Sequence, residues 1–411
     1  MTEDSPKSYS PAGERIRHLT LAGSSRFDKV TVLTLRATQT ERQPTNKSRI
    51  SLYEINFSRG VPFPLSALFD PVKSLMLVAH GLKLRGSIKP SFIISSMPPI
   101  EVGVSAWLLS RLFHARLIID LRDDWESAVN AQLTRYFPRP LVKIVFQVAK
   151  QVYSYSSLMF VVTQTIANTI RDRGIRTNIV LIPNGADTSL FRPKGIDIRN
   201  KVRLQYNLPL DKMIVVYCGS GVNLYYRLDL ILESLKWLSR SAAEKLLIAF
   251  FVYNGQRYLD KLRRQLGIPD ELVEIRNPLP RRQLAEVLSA CDIGLVPFDA
   301  KPYLLCARST KIYEYLSSGL YVLGSGPRGG ELDSLFSANP KLGLFTLPSG
   351  PSFAQALLQV VEMAENLLDD NSRELRHGLI KENYDRQNVM KAAISNMLLA
   401  MTRENHKAAP R

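Results

Sequence analysis

The sequence predicts an α/β protein of two domains, each a parallel sheet with helices on both faces, on three observations. Short apolar, β-rich runs alternate with amphipathic helical stretches along most of the chain. At 411 residues the chain is too long for one typical core. A break rich in Pro, Asn-Gly and charge, "IPNGADTSLFRPKGIDIRNKVR", falls near the middle. Alternating strands and helices mean βαβ units, hence sheets covered on both faces. Two such series about one break give two Rossmann-like domains with parallel sheets facing a central cleft. The expected boundaries are 1–185 for the first, 186–375 for the second, and 376–411 for a C-terminal helix packing back on the first.

The elements follow in order. The opening "MTEDSPKSYSPAGER" starts acidic and lacks the apolar core of a signal peptide. A Rossmann half normally begins with a hydrophobic strand, then a turn, then a helix. Here the turn "SPAGER" and the helix "RIRHLTLAG" are present, and the polar "MTEDSPKSY" before them is no strand. That pattern reads as a lost strand or a start codon placed late, and we prefer the second. Strands are expected at "KVTVLTL", "SFIISS", "ARLIIDL", "LMFVVTQ" and "NIVLI" before the break. After it they are expected at "MIVVYCG", "KLLIAFFVY", "LVEIRN", "DIGLVPF" and "LYVLGS". Between them lie helical stretches such as "EVGVSAWLLSRLF", "DLILESLKWLSR" and "RQLAEVLSACD", and "SRELRHGLIKENYDRQNVMKAAISNMLLAMT" is helical near the end.

Composition narrows the function classes. The chain is 45% hydrophobic and 22% charged, an ordinary globular balance. Its longest apolar run, "LLIAFFVY", is far short of the roughly 20 residues of a membrane span. The three cysteines, Cys218, Cys291 and Cys306, sit far apart without CxxC or Cys/His spacing, which argues against zinc and against a disulfide framework. An intracellular protein is the simplest expectation. The net charge of +17 fits an anionic membrane, a phosphate-rich ligand, nucleic acid, or solvated helix faces. No recognition-helix, zinc-finger or stacking-aromatic signature accompanies it, so nucleic acid is not expected.

Two stretches concentrate chemistry. In "RSTKIYEYLSSGLYVLGSG", Ser309 can cap a helix with an Ile312/Leu316 stripe, and Gly319 fits just past its end before a buried strand. Glu314 sits inside that helix between two tyrosines. In "DLRDDW", Asp120, Arg122, Asp123, Asp124 and Trp125 lie at the carboxyl end of a strand, where ligands collect in open α/β sheets. A structural alternative is an ion pair between Arg122 and Asp120, with the rest capping the next helix.

Four stretches carry a resemblance: "IPNGADTSLFRP", "TKIYEYLSSGLYVLGS", "SPAGERIRHLTLAGSSRFDKVTVLT" and "SSMPPIEVGVSAWLLSRLFHARLIIDLRDDW". From about Ser10 to the last long helix the chain resembles glycosyltransferase family 4, the retaining, sugar-nucleotide-dependent enzymes of the GT-B fold. Within it, the chain is similar to the branch that builds surface polysaccharides. The resemblance implies a nucleotide-sugar donor and a glycan or lipid-linked acceptor, with no metal and no cofactor. It implies Glu314 as the ligand of the ribose hydroxyls, and Asn184, Gly185 and Asp187 as the hinge. The helix start at Ser309 and Thr310 would aim free amides at the diphosphate, with Lys311 adding charge. Gly13 would let backbone approach a phosphate, and Asp123 or Asp124 would orient or deprotonate the acceptor hydroxyl.

The sequence also departs from the family pattern. Cys306 stands where members commonly carry a second glutamate. Ser220 and Tyr226 stand where an arginine and a lysine would grip the diphosphate, which leaves Arg227 and Arg308 as candidate substitutes. The basic segment "RYFPRPLVKIVFQVAK" is a candidate for an anionic membrane surface, which would place the protein in the cytoplasm, peripheral on the inner face of the cell membrane. Two rivals stand beside the transferase reading: a GT-B epimerase, disfavoured by the hinge and donor segments, and a degenerate GT-B scaffold that binds a partner without catalysis.

Overall fold

The computed structural model describes residues 11–36, 49–56, 70–133, 136–222 and 225–407. They fall into two units. One runs to Pro183 and resumes at Gln387, and the other is the continuous stretch Asn184–Arg386.

The described part of the first unit opens with the helix Pro11–Ser24. The proline starts it without loss, because the first amides of a helix have no intrahelical partner. Gly13 therefore lies in a helical turn and not in a loop before it. The expectation of an absent first strand falls on residues outside the described ones. Among the described residues the parallel strands form two pieces. β1 (Val30–Arg36) pairs with β2 (Ile50–Asn56), while β3 (Phe92–Met97), β4 (Arg116–Leu121), β5 (Leu158–Val161) and β6 (Ile179–Leu181) pair in that order. β4 is buried over five consecutive residues and β5 over all four, the pattern of strands covered on both faces. One face is closed by Leu19 and Ala22 of the first helix and by Met390, Ala393, Ile394 and Met397 of the last helix, Arg386–Lys407.

The second unit is one six-stranded parallel sheet. Its strands are β7 (Met213–Gly219), β8 (Leu246–Val252), β9 (Val273–Arg276), β10 (Ile293–Pro297), β11 (Tyr321–Ser325) and β12 (Gly343–Thr346). They lie in the order β12-β11-β10-β7-β8-β9. That order reverses between β7 and β10, the switch point at whose carboxyl ends a doubly wound sheet opens a crevice. β2 and β12 are strands beyond those expected from sequence: "ISLYEIN" is interrupted by charge, and "GLFT" is very short.

The C-terminal helical stretch is two helices, Asp370–Tyr384 and Arg386–Lys407, and the chain returns to the first unit after Arg386, later than position 376. Asp385 breaks the helix by taking extended backbone, pairing with Ala186 and accepting from the Thr188 hydroxyl at 2.6 Å. No Pro or Gly marks the place, so nothing local in the sequence announces it.

Behind the amino end of β10 lies a charge cluster. The Asp292 carboxylate accepts from Arg199 at 2.9 Å, from Arg203 and Arg373 at 2.6 Å each, and from the Ile214 amide at 2.8 Å. Three buried guanidiniums thus share one buried carboxylate. Carbonyls take up further donors: Arg203 donates to Ala290 and Lys212, and Arg373 to Cys291. Ala290 ends the helix Arg281–Ala290, whose negative dipole end offsets part of the excess charge. Burial still dominates, pushing the Arg373 guanidinium down to about 10.

Candidate functional site

At the switch point β7 ends in Gly219, whose φ of +146° favours glycine. A Cβ there would come 2.8 Å from the Lys311 side chain. Beyond it the loop turns back on itself, the Asn254 side-chain oxygen accepting from the amides of Gly221 and Val222 and from the Ser220 hydroxyl. Those donors are engaged within the loop. Tyr226 bridges to Phe298 at the end of β10 and stacks on its ring at 5.0 Å, while Tyr217 meets Tyr226 edge-on.

Over these rings stands the helix Thr310–Ser317. Ser309 caps it, accepting from the Lys311 amide at 3.4 Å and from the Tyr226 hydroxyl at 3.0 Å. The Lys311 ammonium lies 4.2 Å from the Tyr226 ring centroid and 5.3 Å from that of Tyr217. Aromatic faces hold a cation without neutralising it. The other two candidate cations are held differently. Arg227 forks onto Asp229 at 2.7 Å and approaches Asp299, and Arg308 pairs with Glu331 at 2.9 Å. Among the described residues no carboxylate pairs with Lys311, so of the three it carries the least compensated positive charge, beside the positive end of a helix.

Glu314 lies one turn further along, about one-tenth exposed. Its Oε1 is approached by Arg281 at 3.1 Å and by Arg386 at 3.5 Å. Arg281 also lies over the Phe191 ring, 4.8 Å from its centroid. The segment implied as a hinge adjoins the same helix. Asn184 donates to the Arg308 carbonyl at 3.3 Å, Gly185 has φ +64°, and Asp187 closes a turn through the Ser189 hydroxyl and Leu190 amide. Cys306 is buried, its thiol directed to the Tyr303 carbonyl.

In the first unit the pair at the end of β4 separates into two environments. Asp124 is tied down, accepting from Arg173 at 2.5 Å and from the Ser127 amide. Asp123 is exposed. Protein around it pushes its carboxyl up to about 6, against the pull of Arg122. Because the side chain meets water, solvent discounts that rise. Asp120 is fully buried, and its ion pair is with Arg15, at 2.6 Å, and not with Arg122, which instead donates to the Met97 and Pro98 carbonyls.

Sequence reading missed Glu126. It sits in the first turn of the helix Trp125–Leu133, 3.2 Å from Arg173, and burial pushes its carboxyl up to about 7 against the pull of Arg173. A raised carboxyl pKa means that the folded protein keeps a proton which the unfolded chain releases. Its contribution to stability is therefore present at low pH and is lost as pH rises from 4.5 to about 7. The loss is on the order of 3 kcal/mol. Urea unfolding at pH 5 and pH 8 should show wild type losing more stability than Glu126→Gln across that interval; parallel losses would refute the assignment.

Comparison with known proteins agrees with the fold. Residues 12–185 match a family model described as a glycosyl transferase 4-like domain. A curated relative, D-inositol 3-phosphate glycosyltransferase of Corynebacterium aurimucosum, is 26% identical over 207 residues, 49% of this chain and 45% of the relative, so the match spans less than half of that protein. Sucrose-phosphate synthase from Thermosynechococcus elongatus superposes with a TM-score of 0.71 at 16% identity, over 94% of this chain and 93% of that one. Anabaena Alr3699/HepE, solved with UDP-glucose, superposes with a TM-score of 0.68 at 14% identity, over 97% and 98% of the two chains. At such identities the likeness shows the fold alone, and the fold is GT-B.

Proposed function

We propose, from a GT-B fold whose first unit matches a glycosyl transferase 4-like domain, that the protein is a retaining glycosyltransferase. It moves a sugar from a nucleotide-sugar donor to a glycan or lipid-linked acceptor. The observation that carries this reading is the uncompensated Lys311 ammonium at the amino end of the Thr310–Ser317 helix, at the switch point of the second unit, one turn from the Glu314 carboxylate. A nucleotide sugar presents a diphosphate and a ribose diol at a comparable spacing.

In this reading Glu314 accepts from the ribose hydroxyls. Lys311 and the positive end of the helix dipole stabilise charge on the departing diphosphate, where fixed charges lower the barrier most. No Asp-x-Asp motif is present and no metal-ligand cluster occurs among the described residues. The reading assigns leaving-group stabilisation to the cation and the helix dipole, with neither metal nor cofactor. Asp123, the exposed member of its pair, is assigned to the acceptor hydroxyl, and Asp124 to holding the loop through Arg173. The relative's name and the UDP-glucose held by Alr3699/HepE favour a donor of this class. A nucleotide-binding scaffold without transfer is the second reading, favoured by the buried thiol of Cys306.

The test is unfolding of the purified protein against UDP, GDP, dTDP and their sugar conjugates, with Glu314→Ala beside it. Ligand at about 100 times its dissociation constant stabilises by roughly 2.7 kcal/mol. One nucleotide should shift wild type and leave the variant unmoved; silence from all of them rejects the donor site. Product released with inverted anomeric configuration would reject retention.

No helix among the described residues is long and apolar enough to cross a membrane. We assign peripheral contact with an anionic membrane, on the cytoplasmic face, to the helix Arg139–Tyr155. It exposes Leu141, Tyr155 and Ile144, the last at 60%, among Lys143 and Lys150. Co-sedimentation with anionic vesicles should occur at low salt and fade as salt rises; no binding at low salt rejects the assignment.

A further inference from the structure

We propose that Arg386 is a positioning residue that couples occupancy of Glu314 to the two places where the chain passes between units. The inference rests on the reading of Glu314 as the ribose ligand. The chain enters the second unit at Asn184 and leaves it after Arg386. Arg386 is 1% exposed, and its guanidinium donates to the Gly185 carbonyl at 2.8 Å and to the Asn184 carbonyl at 3.3 Å. The nitrogen that serves Gly185 also reaches Glu314 Oε1 at 3.5 Å. One buried side chain at the start of the leaving segment therefore holds the entering segment and the carboxylate.

The backbone leaves little slack. The Ala186 amide donates to the Tyr384 carbonyl at 3.0 Å, and the Arg386 amide returns to the Ala186 carbonyl at 2.8 Å. A Cβ on Gly185 would be driven into the Tyr384 carbonyl oxygen. The two crossings thus pack backbone to backbone, and a displacement of one is passed to the other. A second arginine ties the same carboxylate to the entering segment, since Arg281 touches both Glu314 and the Phe191 ring. The Ser317 hydroxyl donates to the Phe191 carbonyl at the far end of the helix. At 3.5 Å the Arg386–carboxylate contact is at the limit of a hydrogen bond, so it has room to tighten or release. Hydroxyls donating to Glu314 compete for the lone pairs that the arginines use. Ligand therefore changes how firmly Arg386 holds Asn184 and Gly185, and by linkage the state of the crossings changes nucleotide affinity by the same factor.

The experiment is hydrogen exchange at the Ala186 amide, with and without saturating nucleotide, in wild type and Arg386→Gln, with dissociation constants measured in parallel. Wild type should show exchange changed by at least about fivefold on binding, the low end of typical coupling. In Arg386→Gln the nucleotide should still bind while that change disappears, and Arg386→Lys, which keeps charge but loses the fork, should restore it only in part. Should Arg386→Gln not fold, Arg281→Gln carries the same readout at the Leu190 amide. A wild type that binds no nucleotide overturns the reading of Glu314 and this inference with it. Binding with an equal exchange response in wild type and variant overturns the coupling alone.

Discussion

Asp292→Asn should cost the second unit at least roughly 3–5 kcal/mol, the loss expected when one partner of a buried ion pair is removed. The substitution keeps shape and one acceptor oxygen but leaves Arg203 and Arg373 facing no carboxylate, and Arg199 only the exposed Asp370 at 3.7 Å. Whole domains are stable by only about 5–15 kcal/mol, so this one atom change reaches the scale of the total. The carbonyls of Ala290, Cys291 and Lys212 remain, and they are why the cost is not larger still. Chemical denaturation of the variant, followed by circular dichroism, reads the result directly. A loss below about 1 kcal/mol would show that the carbonyls and the helix dipole carry the charge without the carboxylate.

Lys311→Ala should weaken nucleotide binding by about 10- to 100-fold, the worth of a charge-assisted contact of about 1.5–3 kcal/mol. Arg227→Ala should change it little, because Asp229 and Asp299 already satisfy that guanidinium. The contrast tests which cation serves the proposed diphosphate site. In the proposed reading Lys311 supplies, from the first turn of the helix, the charge that Tyr226 lacks, and its ammonium rests 4.2 Å from the Tyr226 ring centroid. Titration calorimetry with the nucleotide that stabilises wild type measures both variants. Equal losses, or a larger loss for Arg227→Ala, would reverse the assignment.

How much of this was legible depended on range. The strands of the second unit, the very short β12 apart, announce themselves as apolar runs, because a parallel sheet covered on both faces demands them. The helix start at Ser309 is equally plain, because a cap is local chemistry. What surrounds Glu314 was not legible. Arg386 stands 72 residues from it. Arg281 stands in the basic run "LPRRQ", 33 residues before Glu314. Neither pairing has a local signal; both follow from which elements the sheet order brings together. The net charge misled for the same reason. Seven arginines are buried among the described residues, where they bind carbonyls and carboxylates within the molecule and offer nothing to an anionic partner. The pair Asp123 and Asp124 was legible as a pair, but its division of labour required Arg173, which lies 49 residues on.

The late return of the chain to the first unit sets an order of assembly during synthesis. The second unit is complete once residue 386 has been made, and its core needs nothing from further along the chain. The first unit is begun earlier and finished later, because Met390, Ala393, Ile394 and Met397 close a face of its sheet. While the ribosome makes everything between Asn184 and Arg386, that face has Leu19 and Ala22 of the first helix but lacks the cover of the last helix. The part of the chain translated first is therefore the last to become native, and it is the part that a nascent-chain chaperone would be expected to hold.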